Sequence, residues 1–491
     1  MPDAPHDLLI RGGTVLDGTG EPGVRADVAV RGDRIAAIGD LADARAEREI
    51  DATGRVVAPG FVDVHAHDDA AVISTPMDFK LMQGVTADIV GNCGAGIAPY
   101  VPERGLVPAI GMVLGETGEV TWRLFGEYMA AVEKSQPAVN VACLVPHGAV
   151  RYATIGMDTR APDAAELAAM REHVREGMAA GAVGMSTGLI YPPGRFAQTE
   201  EIIECAKAAA AYGGVYVSHI RDEGEGLLEA VAEATRIGEE AGLPAQISHH
   251  KASGPSVYGR TRDSIAFIEA RRAAGQDVTF DVYPYVAAST VLSAYISQRE
   301  GADPDTVLLA SVPSRPELEG KTLREAAGAL DLPVDDAASA ILRDDPGAVA
   351  VFFTMDEADV QRVISHEQCM IGSDGIPTPG GKPHPRLYGT FPRVLQKYVR
   401  EERLLTLEEA VRKMTSLPAR RFKLRERGEL REGWYADIVV FDAERIEDVA
   451  TYQEPRQYPA GIDCVIVNGR VAAENGRQTE RHAGRLVRRE A

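Results

Sequence analysis

Short runs rich in Val, Ile and Leu occupy both ends of the chain, and a long middle alternates apolar runs with helical periodicity. Near the start, 7–16 and 26–38 read as β, with Arg31-Gly32-Asp33 as a hairpin turn inside the second. Near the end, 436–441 reads as a strand and 464–472 as a hairpin turning on Asn468-Gly469. Neither terminal piece can bury a good core alone, so the two are expected to pack together around the middle.

In the middle, strands are predicted over 61–67, 85–91, 139–145, 182–189, 214–220, 245–250, 278–283 and 369–374. Helical periodicity marks 164–178, 200–211, 226–241 and 262–274 between them. Strands alternating with helices imply βαβ units and a parallel sheet. Eight units imply a closed (β/α)8 TIM-like barrel with its reactive residues at the C-terminal strand ends. A doubly wound open sheet is the alternative, but no phosphate-cradling glycine loop opens a helix after the first strand. The expected division is a small β-sandwich domain from 1–57 and 428–491 around a catalytic barrel over 58–427. One span breaks the repeat. Residues 289–350 follow the seventh strand and are too long for an ordinary connection. They are expected to form a lid over the catalytic face, the plainer reading being an insertion remote from it.

Size and charge narrow the picture. A chain of 491 residues exceeds what one hydrophobic core usually supports. A net charge of -21 argues against nucleic acid or an anionic membrane as partner. It also requires that an anionic substrate find local positive charge. No apolar run is long enough for a membrane helix, and the start lacks the features of a secretory signal. Five scattered cysteines make no disulfide framework, so a cytoplasmic location is expected.

Metal-binding residue types then recur at the strand ends. His65 and His67 end the first strand, where alternation along a strand would point both the same way. Cys93 lies in the glycine-rich turn after the second, His219 ends the fifth, His249-His250 the sixth and Asp374 the eighth. Eleven histidines scattered at random would not collect at one end of a barrel. Imidazole and thiolate are the ligands zinc prefers, and a catalytic zinc keeps a position for water. The other four cysteines read as structural. Asp374, though in good turn chemistry, is placed to act as the general base and acid.

The segments PGFVDVHAHDD, GNCGAGIAP, GAVGMSTGLIYPPG, VSHIRDE, ISHHK, DVYPY, GSDG, PHPRLYGTFPRVL and GELREGWYADIVVFD resemble the amidohydrolase superfamily, and more narrowly its N-acyl-D-amino-acid deacylases (D-aminoacylases). The resemblance spans nearly the whole chain. It implies zinc-dependent hydrolysis of N-acyl-D-amino acids, small-molecule substrates. Cys93, His219 and the strand-six histidine would hold a tight zinc, His65 and His67 a weaker second site, and Asp374 would be the catalytic carboxylate. Many cyclic-amide hydrolases of the superfamily bridge two metals through a strand-four lysine. GAVGMSTGL has none, and Cys93 takes over that role, which favours acyclic substrates. Ser248-His249 repeats Ser218-His219 and the family segment matches its ligand to His249, although pattern alone leaves His250 open. Lys251, Tyr191, Tyr283 and Arg386 are candidates to bind the substrate carboxylate, Tyr283 also as a donor to the carbonyl. The other readings are hydantoinase-like or dihydropyrimidinase-like ring opening, dipeptide cleavage, and a non-catalytic scaffold with this fold.

Overall fold

The computed structural model describes residues 5–108, 120–297, 303–378 and 380–489. Its centre is an eight-stranded sheet in which each strand pairs with the next in chain order. The strands are Phe61–Asp63, Val85–Val90, Asn140–Pro146, Gly184–Gly188, Val215–His219, Ala245–Ile247, Val278–Val282 and Cys369–Ile371. All the pairings are parallel. Their two faces feed different cores. Val62, Ala87, Ile89, Ala142, Leu144, Val215, Val217 and Met370 cluster inside, together with Phe422 and Leu424. The intervening Phe61, Val141, Cys143, Tyr216, Phe280 and Ile371 pack outward against the helices. Burial on both faces is what a parallel sheet covered by helices requires.

The helices between the strands follow from local sequence. In Leu227–Ala241 the buried residues Leu227, Ala230, Val231, Ala234, Ile237 and Ala241 form one stripe, and Gly242 ends the helix in the left-handed conformation. Ala164–Ala179 starts at a capping box, where Asp163 accepts from the backbone of Glu166 and Glu166 accepts from that of Asp163.

The ring closes without a regular ladder between the first and last strands. Asp374 N–H donates to His65 O (2.7 Å) and His67 N–H to Gly375 O (3.1 Å). Beneath them Asp63 accepts from the backbone N–H of Ser373 (2.8 Å) and of His65 (3.2 Å). Lys80, fully buried, holds Asp63 at 2.5 Å and Asp68 at 2.9 Å.

Both chain ends contribute to a nine-stranded sheet with its own core, including Leu8, Ile10, Val28, Val57, Ile438 and Ile466. Its hairpin Ile462–Val467/Arg470–Glu474 turns on Asn468 and Gly469, both at positive φ, as the sequence predicts. The segment after the seventh barrel strand forms a three-stranded antiparallel sheet, Ala288–Val291, Val307–Ser311 and Val349–Phe352. Helices Leu323–Leu330 and Val334–Asp344 pack on that sheet around a separate apolar core. Residues 298–302 of the expected lid lie outside the described residues.

A buried polar knot joins the terminal sheet to the barrel. Asp437 pairs with Arg427, accepts from Asn140 Nδ2 at 3.1 Å and accepts from the Asn468 backbone at 2.8 Å. Asp437→Ala leaves the Arg427 guanidinium buried and uncompensated, so equilibrium denaturation should show a loss of about 3–5 kcal/mol.

Candidate metal centre

The C-terminal ends of the strands open into one cleft of about 830 Å³, counted out to and including its open mouth. At its floor lies the thiol of Cys93, 4% exposed. His65 Nε2 lies 3.2 Å from the sulfur, His219 Nδ1 3.5 Å and His249 Nε2 3.6 Å. His219 Nδ1 and His249 Nε2 are themselves 2.9 Å apart. The same nitrogen of His65 also faces Asp374, whose Oδ1 stands 3.5 Å from His65 Nε2 and 3.1 Å from His67 Nε2. The metal-capable groups therefore overlap: His65, Cys93 and His249 form one, and His65, His67 and Asp374 another.

The Cys93 loop depends on close backbone approach. A Cβ on Gly188 would lie 2.0 Å from Cys93 O, and one on Gly94 would meet the backbone of Gly188 at 2.8 Å. Ser186 Oγ accepts from Gly94 N–H at 3.0 Å. The fourth strand thus supports the loop and offers no side chain to the cluster. Cys93 (φ 53°), His249 (φ 33°) and Asp374 (φ 49°) all sit at left-handed backbone angles. Such strain clusters at sites where the surroundings hold it in place.

Electrostatics supports ligation. Burial works against the Cys93 thiolate, but the imidazoles of His65, His219 and His249 outweigh it and hold the thiol well below its ordinary range. Burial, with a smaller push from nearby carboxylates, holds Cys369 and Cys464 up at about 12, which fits a structural role. For Asp374 burial is outweighed by Arg386 and His67, so the carboxyl is held well below its usual range. A buried thiolate facing three ring nitrogens, two of them 2.9 Å apart, is a donor set that suits a soft-to-borderline cation such as zinc.

Each expected residue can now be placed. His65, His67, Cys93, His219, His249 and Asp374 converge. Strand alternation does not explain the first pair. The strand ends at Asp63, and Val62 and Val64 face the interior while Phe61 faces the helices. Continued alternation would carry His65 and His67 outward. The chain leaves the strand after Asp63 and brings both rings in, which corrects the strand-end expectation. His250 is directed away from the cluster, with Nε2 2.8 Å from Ser264 Oγ and its ring against Phe280.

Lys251, Tyr191 and Tyr283 line the cleft. Lys251 Nζ lies 2.7 Å from His249 Nδ1, and Tyr191 Oη 2.9 Å from Thr290 Oγ1. Arg386 sits behind Asp374 rather than on the cleft wall: NH1 is 2.9 Å from Asp374 Oδ2 and the guanidinium covers the Tyr283 ring. From the segment after the seventh strand, Ser289, Thr290, Val291 and Ala294 line the cleft, with Phe352 and Thr354 beside them.

Sequence reasoning missed the carboxylates behind the rings. Asp281 Oδ1 accepts from His249 N–H at 2.8 Å and lies 3.4 Å from His65 Nδ1. Glu223 Oε1 lies 3.1 Å from His249 Nδ1 and 2.6 Å from Lys251 Nζ. Both stand in quoted motifs, DVYPY and VSHIRDE, but neither neighbours its partner in sequence.

The amidohydrolase family model matches residues 48–293 and 321–473. The chain belongs to this family. It is 45% identical to a D-aminoacylase of Alcaligenes xylosoxydans xylosoxydans, over 99% of this chain and 98% of the relative. The structure of an N-acyl-D-glutamate deacylase from Bordetella bronchiseptica, solved with zinc and a phosphonate mimic of the tetrahedral intermediate, superposes with a TM-score of 0.93. That pair is 42% identical, over 99% of this chain and 100% of the other. A D-aminoacylase structure concerned with a binuclear metal centre, one-metal activation and second-metal attenuation has a TM-score of 0.91 at 44% identity, with coverage of 99% and 100%. As an amidohydrolase, this chain places sulfur in one of two ligand groups that meet at His65.

The two adjacent histidines give a direct check. His249→Ala should lose tightly bound zinc, measured by metal analysis after dialysis, whereas His250→Gln should keep it. Burial, helped by Lys251, pushes His250 down to about 4. The unfolded chain takes up its proton first, near 6.5, so this contribution to stability is complete above pH 6.5 and lost toward pH 4. His250→Gln should flatten that part of the pH dependence of the unfolding free energy, by up to about 3 kcal/mol, measured by denaturant titration at each pH.

Proposed function

We propose that this chain is a zinc-dependent hydrolase that cleaves the amide bond of N-acyl-D-amino acids, releasing a carboxylic acid and a free D-amino acid. The observation that carries the reading is the meeting of Cys93, three imidazoles, Asp374 and the Lys251 ammonium in one cleft. The full-length likeness to the D-aminoacylase and the D-glutamate deacylase supports the substrate class and its D configuration.

Cys93, His219 and His249 would hold the tight ion, and His65, His67 and Asp374 a weaker second. Zinc bound there supplies a Lewis acid that acidifies water and polarises a carbonyl at neutral pH. Asp374, kept ionised by Arg386, takes a proton at Oδ1 and returns it to the leaving nitrogen. Arg386 acts through Asp374, since it is buried behind that carboxylate. Lys251 meets the substrate carboxylate, which resolves the conflict between an anionic substrate and a chain of net charge -21. Among the described residues Tyr283 donates its hydroxyl to the Met355 sulfur, a weak acceptor, at 3.6 Å, so it can turn to a substrate oxygen. Ring opening is less well supported, because the fourth strand carries no lysine for a second bridge.

The division into a terminal β-domain and a barrel is part of this reading, supported by the sheet shared between the chain ends; strand Val56–Pro59 carries that sheet across the expected 57/58 boundary. A cytoplasmic location is supported by five free, buried cysteines. Among the described residues no helix is long and apolar enough to cross a membrane.

A panel of N-acetyl-D- and N-acetyl-L-amino acids, with amine release and zinc content measured on the same sample, should show turnover confined to the D series. A chelator should abolish it and added zinc restore it. Asp374→Asn should lower kcat about 10²–10⁴-fold while the zinc held by Cys93, His219 and His249 remains. Undiminished turnover in that variant would remove Asp374 as the proton carrier.

A further inference from the structure

Glu223 stands four residues after His219, on the loop leaving the fifth strand, and lines the cleft. One of its oxygens, Oε1, faces three groups. Lys251 Nζ is at 2.6 Å, His249 Nδ1 at 3.1 Å and His219 Nε2 at 3.8 Å. The opposite nitrogens of both rings, His249 Nε2 and His219 Nδ1, are those that face Cys93. The carboxylate therefore sits behind the metal side of the site and beside its substrate side. His219 Nε2 has no hydrogen-bond partner among the described residues, which leaves Glu223 as the nearest acidic group to it. The backbone holds the loop in place, with Ser253 N–H donating to Glu223 O at 2.8 Å.

We propose that Glu223 is a positioning residue that couples the two halves of the site: it orients His249 from behind and shares the Lys251 ammonium with the incoming substrate carboxylate. The second half of this statement rests on the deacylase reading; the first does not. An imidazole that binds metal through Nε2 carries its proton on Nδ1 and can donate it to Glu223 but not to an ammonium. Glu223, not Lys251, is thus the partner that suits a ligating His249. The same oxygen neutralises Lys251 in the free enzyme. An anionic substrate must compete with that resident carboxylate, so part of the attraction between Lys251 and substrate is held back by design of the pair.

The two roles pull apart when the charge is removed. In Glu223→Gln, His249 loses its anionic acceptor while Lys251 is released to the substrate. Zinc affinity, measured by chelator competition without substrate, should fall about 10–100-fold. With zinc saturating, a non-hydrolysable ketone analogue of an N-acyl-D-amino acid, with CH2 in place of the amide nitrogen and the carboxylate kept, should bind several-fold more tightly, while its carboxamide counterpart is unchanged. KM should then fall, since the freed ammonium grips substrate and transition state alike. Glu223→Asp, which keeps the charge, should recover zinc affinity relative to the glutamine variant. In a Lys251→Met background, Glu223→Gln should no longer tighten the anionic ligand.

Unchanged zinc affinity in Glu223→Gln, or no recovery in Glu223→Asp, would overturn the orienting role. Unchanged or weaker binding of the anionic ligand, or tightening that persists without Lys251, would overturn the shared-ammonium role. Failure of the wild type on the N-acetyl-D panel would instead remove the deacylase reading and leave the zinc measurement standing.

Discussion

A thiolate, several imidazoles and a carboxylate cannot share a dry cavity without a positive charge among them, and this demand organises the molecule. Cys93, His65, His219 and His249 are each at most 4% exposed, and their donor atoms lie within hydrogen-bonding distances of one another. Desolvation would raise the thiol and discharge the rings. For the thiol this is prevented by His65, His219 and His249, and the thiolate with Asp281 in turn holds His65 well above its ordinary range, whereas burial and His249 keep His219 below its own. A cation of borderline softness fits that balance, and the N-acyl-D-glutamate deacylase solved with zinc shares this fold.

Such a cluster holds its geometry only if the backbone beneath it is fixed. The barrel supplies most of this through its parallel ladder, but the join between first and last strands is made by the site's own loops. Asp374 and His65 bond through their main chains there, and the buried Asp63–Lys80 pair ties Ser373 and His65 from below. Closure of the barrel and placement of the carboxylate opposite the histidines are therefore one event. The left-handed angles at Cys93, His249 and Asp374 mark where the chain departs from strand geometry to reach it.

Around the cluster, charge is arranged in alternating layers. Arg386 backs Asp374, Asp281 backs His65, and Glu223 backs His249 while facing Lys251. A strongly acidic protein thereby presents a local ammonium to its cleft without leaving a buried cation uncompensated. The segment after the seventh strand completes the cleft with Ser289, Thr290 and Val291, and its separate apolar core lets it do so without disturbing the barrel.

The sequence by itself determined the elements and their order, because period-two and period-3.6 patterns report burial locally: helix 164–178 is realised as Ala164–Ala179, and strand 278–283 as Val278–Val282. It also determined which residues could carry the chemistry, since histidines and a cysteine recur after successive strands. Only the tertiary structure decided where those side chains point. On the sixth strand Gln246 reaches Asp281 inside the barrel while Ala245 and Ile247 pack outward, so plain alternation would have turned His250 inward. The strand instead stops at Ile247, and His249 enters on a left-handed turn whose N–H is held by Asp281, a residue 32 positions away. Asp281, Glu223, Lys80 and the seat of Arg386 were illegible for the same reason. Their roles come from partners on other strands, and no local pattern records a contact that exists only once the barrel has closed.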